Sequence, residues 1–304
     1  MREHEIVDPS LNPARLKVGV VGVGRVGAPL AAALGRTGHH LIGVSAISEA
    51  SKERAAALLP SVPIWPADQV IRGAELVLLA IPDDVLPEFV DGAAKAGLFR
   101  PGQIVVHTAG RFGVGVLDPA TRCGALPLAI HPIMTFTGTS MDIERMHGAI
   151  FGITAPEAIR PIAEALVIEI GGEPTVIAEN DRIAYHAALA WSANFLNVLI
   201  AEGMDQLRDI GVAEPSHALG PLLRAVLDNV LRSGDRALTG PIARGDVQTV
   251  AEHLRVMNDK APEVREAYAA LANLTVSRAT KAGLIRENDA IEIRKLLGGA
   301  DGAS

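Results

Sequence analysis

Along the chain the rhythm of apolar and polar positions changes once, near residue 180. Before that point, short near-continuous apolar runs alternate with helix-length stretches. LKVGVVGV (16–23), LIGVSA (41–46), ELVLLAI (75–81), QIVVHT (103–108) and ALPLAIH (125–131) read as strands, with a short one at IWPA (64–67). AIFGIT (149–154), a helix near 156–170 and PTVI (174–177) extend the same pattern. Strands that are apolar at almost every position need cover on both faces. The alternation therefore predicts an α/β domain built on a doubly wound parallel sheet.

After residue 180 the period becomes helical. DRIAYHAALAWSANFLNVLIAEGMDQLRDI (181–210) contains no proline and predicts one long helix. Apolar residues at helical spacing mark further helices over 214–233, 246–259, 261–282 and 286–297. The organisation expected is a flexible leader over 1–15, an α/β domain over 16–180 and an all-helical domain over 181–304. One interruption stands out, ALTGPIARGD (237–246), in which Gly240, Pro241 and Gly245 break the helical run.

Composition narrows the classes. With 304 residues the chain can bury two cores, and 49% apolar against 21% charged residues is an ordinary globular balance. No uninterrupted apolar run reaches the ~18–20 residues needed to cross a bilayer, so no membrane partner is expected. The first fifteen residues lack the apolar segment of a signal peptide. The single cysteine, Cys123, allows no internal disulfide and fits a cytoplasmic location. A net charge of −7 without a basic block argues against nucleic acid. No Cys/His cluster has metal-binding spacing, so no metal is expected.

The strongest motif is GVGRVG (22–27), between the first strand and the first helix. In a Rossmann dinucleotide fold Gly22 makes the tight turn, Gly24 lets the backbone approach the pyrophosphate, and Gly27 lets the helix pack on the strand. The phosphates rest on the helix N-terminus, with Arg25 and Val26 in the same loop. NAD enzymes place an acid at the end of the second strand. Here GVSAISEASKER (43–54) offers Ser45, Ser48, Lys52 and Arg54 instead, which suit a 2′-phosphate and predict NADP(H). The alternative is a solvated helix face with Ser48 as its N-cap.

Ligands of such sheets bind beyond the carboxyl ends of the strands. Those ends carry Pro82 and Thr108, expected against the cofactor, Asp83 and Asp84, expected to cap the next helix, and His107 and His131. His107 reads more readily as structural, while His131 is a candidate proton donor. On the long helix, His186 and Asn194 are eight apart, two turns, and share one face; they are candidates for proton donor and substrate orientation, or for a helix–helix hydrogen bond. In the interrupted segment, Thr239 and Arg244 are candidate carboxylate ligands and Asp246 a helix cap at an anion-attracting N-terminus.

GVVGVGRVGAPLAAAL, LLAIPDD, VVHTAG, HPIMTF, YHAALAWSANFL and ALTGPIARGD together resemble a bacterial family of Rossmann-like proteins with a C-terminal DUF2520 domain. The amino-terminal half is also similar to F420-dependent NADP oxidoreductases, and the overall plan to ketopantoate reductases. That resemblance implies a dinucleotide cofactor. Actinobacterial relatives lying beside pantothenate-synthesis genes imply ketopantoate as substrate. Ketopantoate reductases carry a catalytic lysine on the first helix of the second domain, followed by asparagines one and two turns later. The corresponding positions here hold His186, Ala190 and Asn194. The expectation is an NADP(H)-dependent reductase of a small 2-oxo carboxylate, acting as a cytoplasmic homodimer. The alternatives are a non-catalytic NADP(H)-binding sensor or partner protein, and an imine- or F420-linked reductase.

Overall fold

The computed structural model describes residues 15–298, so all of the expected leader except Arg15 lies outside the described residues. The chain forms two compact units that divide at Asn194/Phe195. This lies beyond the boundary expected near residue 180, because the chain after 180 still packs on the sheet: Arg182 is buried against it and Tyr185 bonds to a strand residue.

The first unit opens with β1 (Lys17–Val21), α1 (Gly27–Arg36), β2 (His40–Ser45), α2 (Glu49–Leu58), α3 (Ala67–Gly73), β3 (Leu76–Leu79) and α4 (Leu86–Lys95). It continues through β4 (Ile104–His107), α5 (Asp118–Arg122), β5 (Leu126–Pro132), α6 (Met141–Arg145), β6 (Ile150–Thr154), α7 (Arg160–Glu169), β7 (Glu173–Val176) and α8 (Arg182–Leu189). The seven strands form one sheet in the order β2-β1-β3-β4-β5-β6-β7. The first five pair in parallel, whereas β6 runs antiparallel to β5 and carries β7 with it. The expected parallel sheet holds over its first five strands, and the antiparallel β5–β6 pair is the exception at this edge. Only the five-residue α6 lies between β5 and β6, and a parallel crossover needs about a dozen residues, usually a full helix. The expected strand at 64–67 reduces to one bridge between Ile64 and Val44, since Ala67 already starts α3. There the Trp65 indole lies against the bare face of Gly43, where a Cβ would stand 2.6 Å from the ring.

Strand alternation sorts the core into two layers. Val18, Val20, Leu76, Leu78, Ile104, Val106, Leu128 and Ile130 pack with α1 and α7. Val21, Val77, Leu79 and Val105 pack with α3, α4 and α5. By the same alternation His107 falls on the face of Val105, and His131 on the face of Ala129, which pairs with His107.

The expected helix over 181–210 is present but irregular. Between α8 and α9 (Phe195–Asp209), residues Ala190–Asn194 form a π turn. Its wider i→i+5 turn adds a residue to the register, so the eight-residue spacing of His186 and Asn194 does not amount to two α-turns.

The second unit contains α9, α10 (Pro215–Ser233), α11 (Pro241–Arg244), α12 (Val247–Lys260), α13 (Pro262–Lys281) and α14 (Glu287–Leu296). Its core joins Val250 and Leu254 of α12, Ala272 and Val276 of α13, and Ile293 of α14. In contrast, α9 has no buried residue and α10 only Pro215.

Candidate active site

The β1–α1 loop has the geometry its glycines imply. Gly22 has φ +92°, and a Cβ there would lie 2.5 Å from the Ala80 carbonyl oxygen. A Cβ on Gly27 would lie 2.0 Å from the Gly22 oxygen. At Gly24, by contrast, a Cβ would meet nothing within 4 Å, so this backbone faces open space. Tight packing at the outer two glycines and open backbone at the middle one is what a pyrophosphate cradle requires. Arg25 is exposed and Val26 half-buried in the same loop.

At the end of β2 the candidates have varied commitments. Ser45 is buried, and its carbonyl accepts from the Gly22 amide. Ser48 caps α2, with its Oγ accepting from the Ser51 amide. Lys52 pairs with Glu49 at 2.7 Å. The Arg54 side chain and the Arg25 backbone both approach a third element: a Cβ on Gly138 would lie 2.8 Å from Arg54 Nε and 3.3 Å from Arg25 Cα. Asp142, fully buried, shapes that loop by accepting from the amides of Thr137, Gly138 and Thr139. No local pattern announces the approach of Gly138 to Arg54, which lies 84 positions earlier in the chain.

Pro82 and Thr108 end β3 and β4 on the same side of the sheet as this loop. Neither Asp83 nor Asp84 caps α4, whose N-cap is Val85 without a side-chain bond. The expected cap is corrected. Asp83 lies 3.8 Å from the Arg111 guanidinium instead, and burial raises its pKa against the opposing pull of His186 and Arg111.

The densest polar cluster surrounds Gly110, just beyond β4. A Cβ there would stand 2.6 Å from His186 Cδ2 and 2.9 Å from His131 Nε2. The two imidazole centroids are 6.3 Å apart and nearly perpendicular. His131 Nδ1 lies 2.7 Å from the Tyr185 hydroxyl, which in turn rests against the bare Cα of Gly152, the β6 partner of His131. Beneath them Arg182 is buried. Its Nε donates to Thr154 Oγ1, and Nη2 to the carbonyls of Ala129 and Gly152. Its Nη1 has no hydrogen-bond partner among the described residues.

Burial governs the local titration, and the Arg182 cation adds to it at His131 and opposes it at Tyr185. Burial, then Arg182 and His186, depress the His131 pKa to about 4. Burial raises the Tyr185 pKa to about 12, with Arg182 pulling the other way. Neutral imidazole and neutral phenol are therefore the forms present near pH 7.

His107, also held at about 4 mainly by burial, has a different role. Its Nε2 lies 2.8 Å from the Gly113 carbonyl and its Nδ1 accepts from the Ala109 amide. Both ring nitrogens are used, so the ring fastens the loop that presents Gly110. Glu179 fastens the far end of that loop, accepting from the amides of Val114 and Gly115 at 2.7 and 3.0 Å. Sequence reasoning gives Tyr185 no role and misses Arg182 and Glu179, which carry no motif signal.

The remaining candidates lie on other elements. Asn194 is exposed at the end of the π turn. Thr239, Arg244 and Asp246 belong to the second unit, where Thr239 and Arg244 are exposed. Gly240 and Gly245 both take positive φ, +93° and +74°, and isolate the four-residue α11. Asp246 caps α12 through Thr249, and that hydrogen bonding lowers its pKa. No metal-holding group of three or more His, Cys, Asp or Glu occurs among the described residues.

Comparison with known proteins agrees with the architecture. Residues 2–132 match the Rossmann-like domain, and residues 149–275 match the domain of unknown function DUF2520. No curated protein matches the chain. Among solved structures, the candidate NADP oxidoreductase BF3122 from Bacteroides fragilis is 22% identical with a TM-score of 0.72, covering 86% of this chain and 98% of that one. Protein TM1727 from Thermotoga maritima is 22% identical with a TM-score of 0.65, covering 87% and 99%. An imine reductase from Pseudomonas sp. is 20% identical with a TM-score of 0.61, covering 93% and 100%. At these identities the likeness is one of fold.

Proposed function

We propose that this chain, in which a Rossmann-like domain is joined to a DUF2520 domain, is an NADP(H)-dependent oxidoreductase that reduces a small 2-oxo carboxylate, with ketopantoate as the first substrate to try. One observation carries the reading: two histidines from separate elements converge on Gly110, beyond the carboxyl ends of the strands, in a sheet whose glycine loop leaves the Gly24 backbone open. When bound, the cofactor supplies hydride. The protein's part is to orient the substrate, stabilise charge and place a proton. Gly22, Gly24, Arg25, Val26 and Gly27 would cradle the pyrophosphate. Arg54, with Ser45, Ser48 and Lys52, would take the 2′-phosphate, and Pro82 and Thr108 would line the cofactor. His131 and His186 would serve the carbonyl and Asn194 the substrate's orientation; Thr239 and Arg244 of the second unit are carboxylate ligands by residue type alone. NADPH oxidation by the purified protein with ketopantoate, beside NADH and no-substrate controls, tests the proposal. Failure to bind NADPH would end it.

A second reading, reduction of a carbon–nitrogen double bond, is supported by the imine reductase and by the pyrroline-5-carboxylate reductase from Streptococcus pyogenes, which has a TM-score of 0.56 over 88% of this chain. The same assay with a cyclic imine separates the two. Binding without turnover of either class would favour a sensor.

The exposed apolar face of α9 and α10 supports a homodimer. Leu222, Val226, Leu227, Val230 and Leu231 of α10 are 46–78% exposed, and four residues between Phe195 and Leu199 of α9 are 39–58% exposed. At about half exposure, nine such side chains amount to roughly 800 Å² per copy, which is what each partner brings to an interface of standard size. The helical stretch Glu179–Asp209, 31 residues long, is also apolar enough by length and composition to cross a membrane, against the expectation of no such stretch. Glu202, Asp205, Arg208 and Asp209 on α9 make a second copy the better occupant than lipid.

A further inference from the structure

We infer that Tyr185 holds His131 as a neutral imidazole with its proton on Nε2, so that His131 acts as a fixed hydrogen-bond donor to the substrate's carbonyl or imine heteroatom and not as its proton source. The donor role rests on the reductase reading above; the tautomer rests on the geometry of the first unit alone.

The tautomer follows from counting donors. Tyr185 Oη and His131 Nδ1 are 2.7 Å apart, and one hydrogen lies between them. If the ring supplied it, the phenolic hydrogen would need another acceptor, and none bonds to it among the described residues. If the phenol supplies it, both groups are satisfied, Nδ1 is the acceptor and the ring proton sits on Nε2. The second arrangement also suits the surroundings. Arg182 is buried below, with one guanidinium nitrogen unmatched, and disfavours any further positive charge on the ring. Tyr185 and His186 from α8 and His107 from β4 complete the titratable groups around it. His131 Nε2 has no hydrogen-bond partner among the described residues and is not among the sealed, unpaired buried atoms. It faces Gly110, whose lack of a Cβ leaves room for the ring.

A neutral imidazole fixed in this way can polarise a double bond by donation alone. When bound, the reduced cofactor would supply hydride to the substrate carbon, and the double-bond electron pair would move to the heteroatom. His131 Nε2–H stabilises the charge that develops there. The heteroatom then takes its proton from His186, the other ring against Gly110, which is reloaded from solvent. Tyr185 touches no reacting atom and is a positioning residue.

The test is a long-range ¹H–¹⁵N correlation of the imidazole groups in the ¹⁵N-labelled full chain, with His131→Asn to assign the signal. The result expected near neutral pH is a protonated Nε2 and a bare Nδ1. In Tyr185→Phe, with the fold verified by circular dichroism, this preference is lost. The value of kcat then falls about 10- to 100-fold, as loss of an orienting partner does, while the Kd for NADPH is unchanged. Gly110→Ala provides a second variant: its methyl displaces the Nε2 edge, so turnover falls with cofactor binding retained. An Nδ1–H tautomer or an imidazolium in the native protein near neutral pH overturns the inference, as does a Tyr185→Phe protein with unaltered tautomer and kcat. If the tautomer is as expected but neither carbonyl nor imine substrates turn over, the donor role falls with the reductase reading, and the Tyr185 lock alone survives.

Discussion

At Gly27 a single methyl group would collide with backbone. Its Cβ would stand 2.0 Å from the Gly22 oxygen, and neither atom belongs to a flexible side chain. Gly27→Ala is expected to destabilise the fold by about 1–3 kcal/mol, the usual cost of overpacking, and to weaken NADPH binding at least tenfold. Urea unfolding and a fluorescence titration measure the two effects. His107 and His131 make a second prediction. Both have folded-state pKa values near 4, below the usual histidine value of 6.5. The unfolded chain therefore binds more protons between those values. Their contribution to stability is complete above about pH 6.5 and is lost as pH falls toward 4, by at most about 3 kcal/mol for each ring. Unfolding midpoints measured from pH 8 to pH 4 should fall over that window, and less steeply in His107→Asn.

Among elements, the loop from His107 to Leu117 is held at both ends by groups far apart in sequence. Glu179 reaches back 65 residues to cap the turn at Val114, much as a side chain caps a helix. Glu179→Ala should cost about 1–2 kcal/mol and increase amide exchange at Val114 and Gly115, read by hydrogen-exchange mass spectrometry. No local pattern announces that contact. The strands were legible because burial on both faces forces unbroken apolar runs, and the glycine loop because its spacing sits between a strand and a helix. His131 was legible as a strand-end residue. Its partnership with Tyr185, 54 residues away, was not, because it depends on β6 reversing direction and setting Gly152 opposite His131. The π turn was equally hidden: AWSAN contains no glycine or proline to mark a break. In the second unit the Gly240 and Gly245 punctuation was readable directly, since positive φ is the conformation glycine is chosen for.

For the whole molecule, the exposed face of α9 and α10 makes a prediction about mass. Sedimentation of the native chain should give twice the 31.8 kDa of one copy, and Leu227→Glu with Leu231→Glu should weaken the dimer by at least tenfold in Kd. A native monomer would remove the self-association proposal, and flotation of the chain with lipid vesicles would assign the face to a membrane instead.

Trp65, resting on Gly43, has an optical consequence. The chain has only two tryptophans, and the other, Trp191, lies in the π turn. Trp65 leans on β2, the strand whose end carries the candidate 2′-phosphate ligands, and reduced nicotinamide absorbs where indole emits. Replacing either indole by phenylalanine would leave a single intrinsic lamp: one that dims as cofactor loads, or one that registers strain at the widened turn. The protein could then be watched through each of these places separately, without an attached dye.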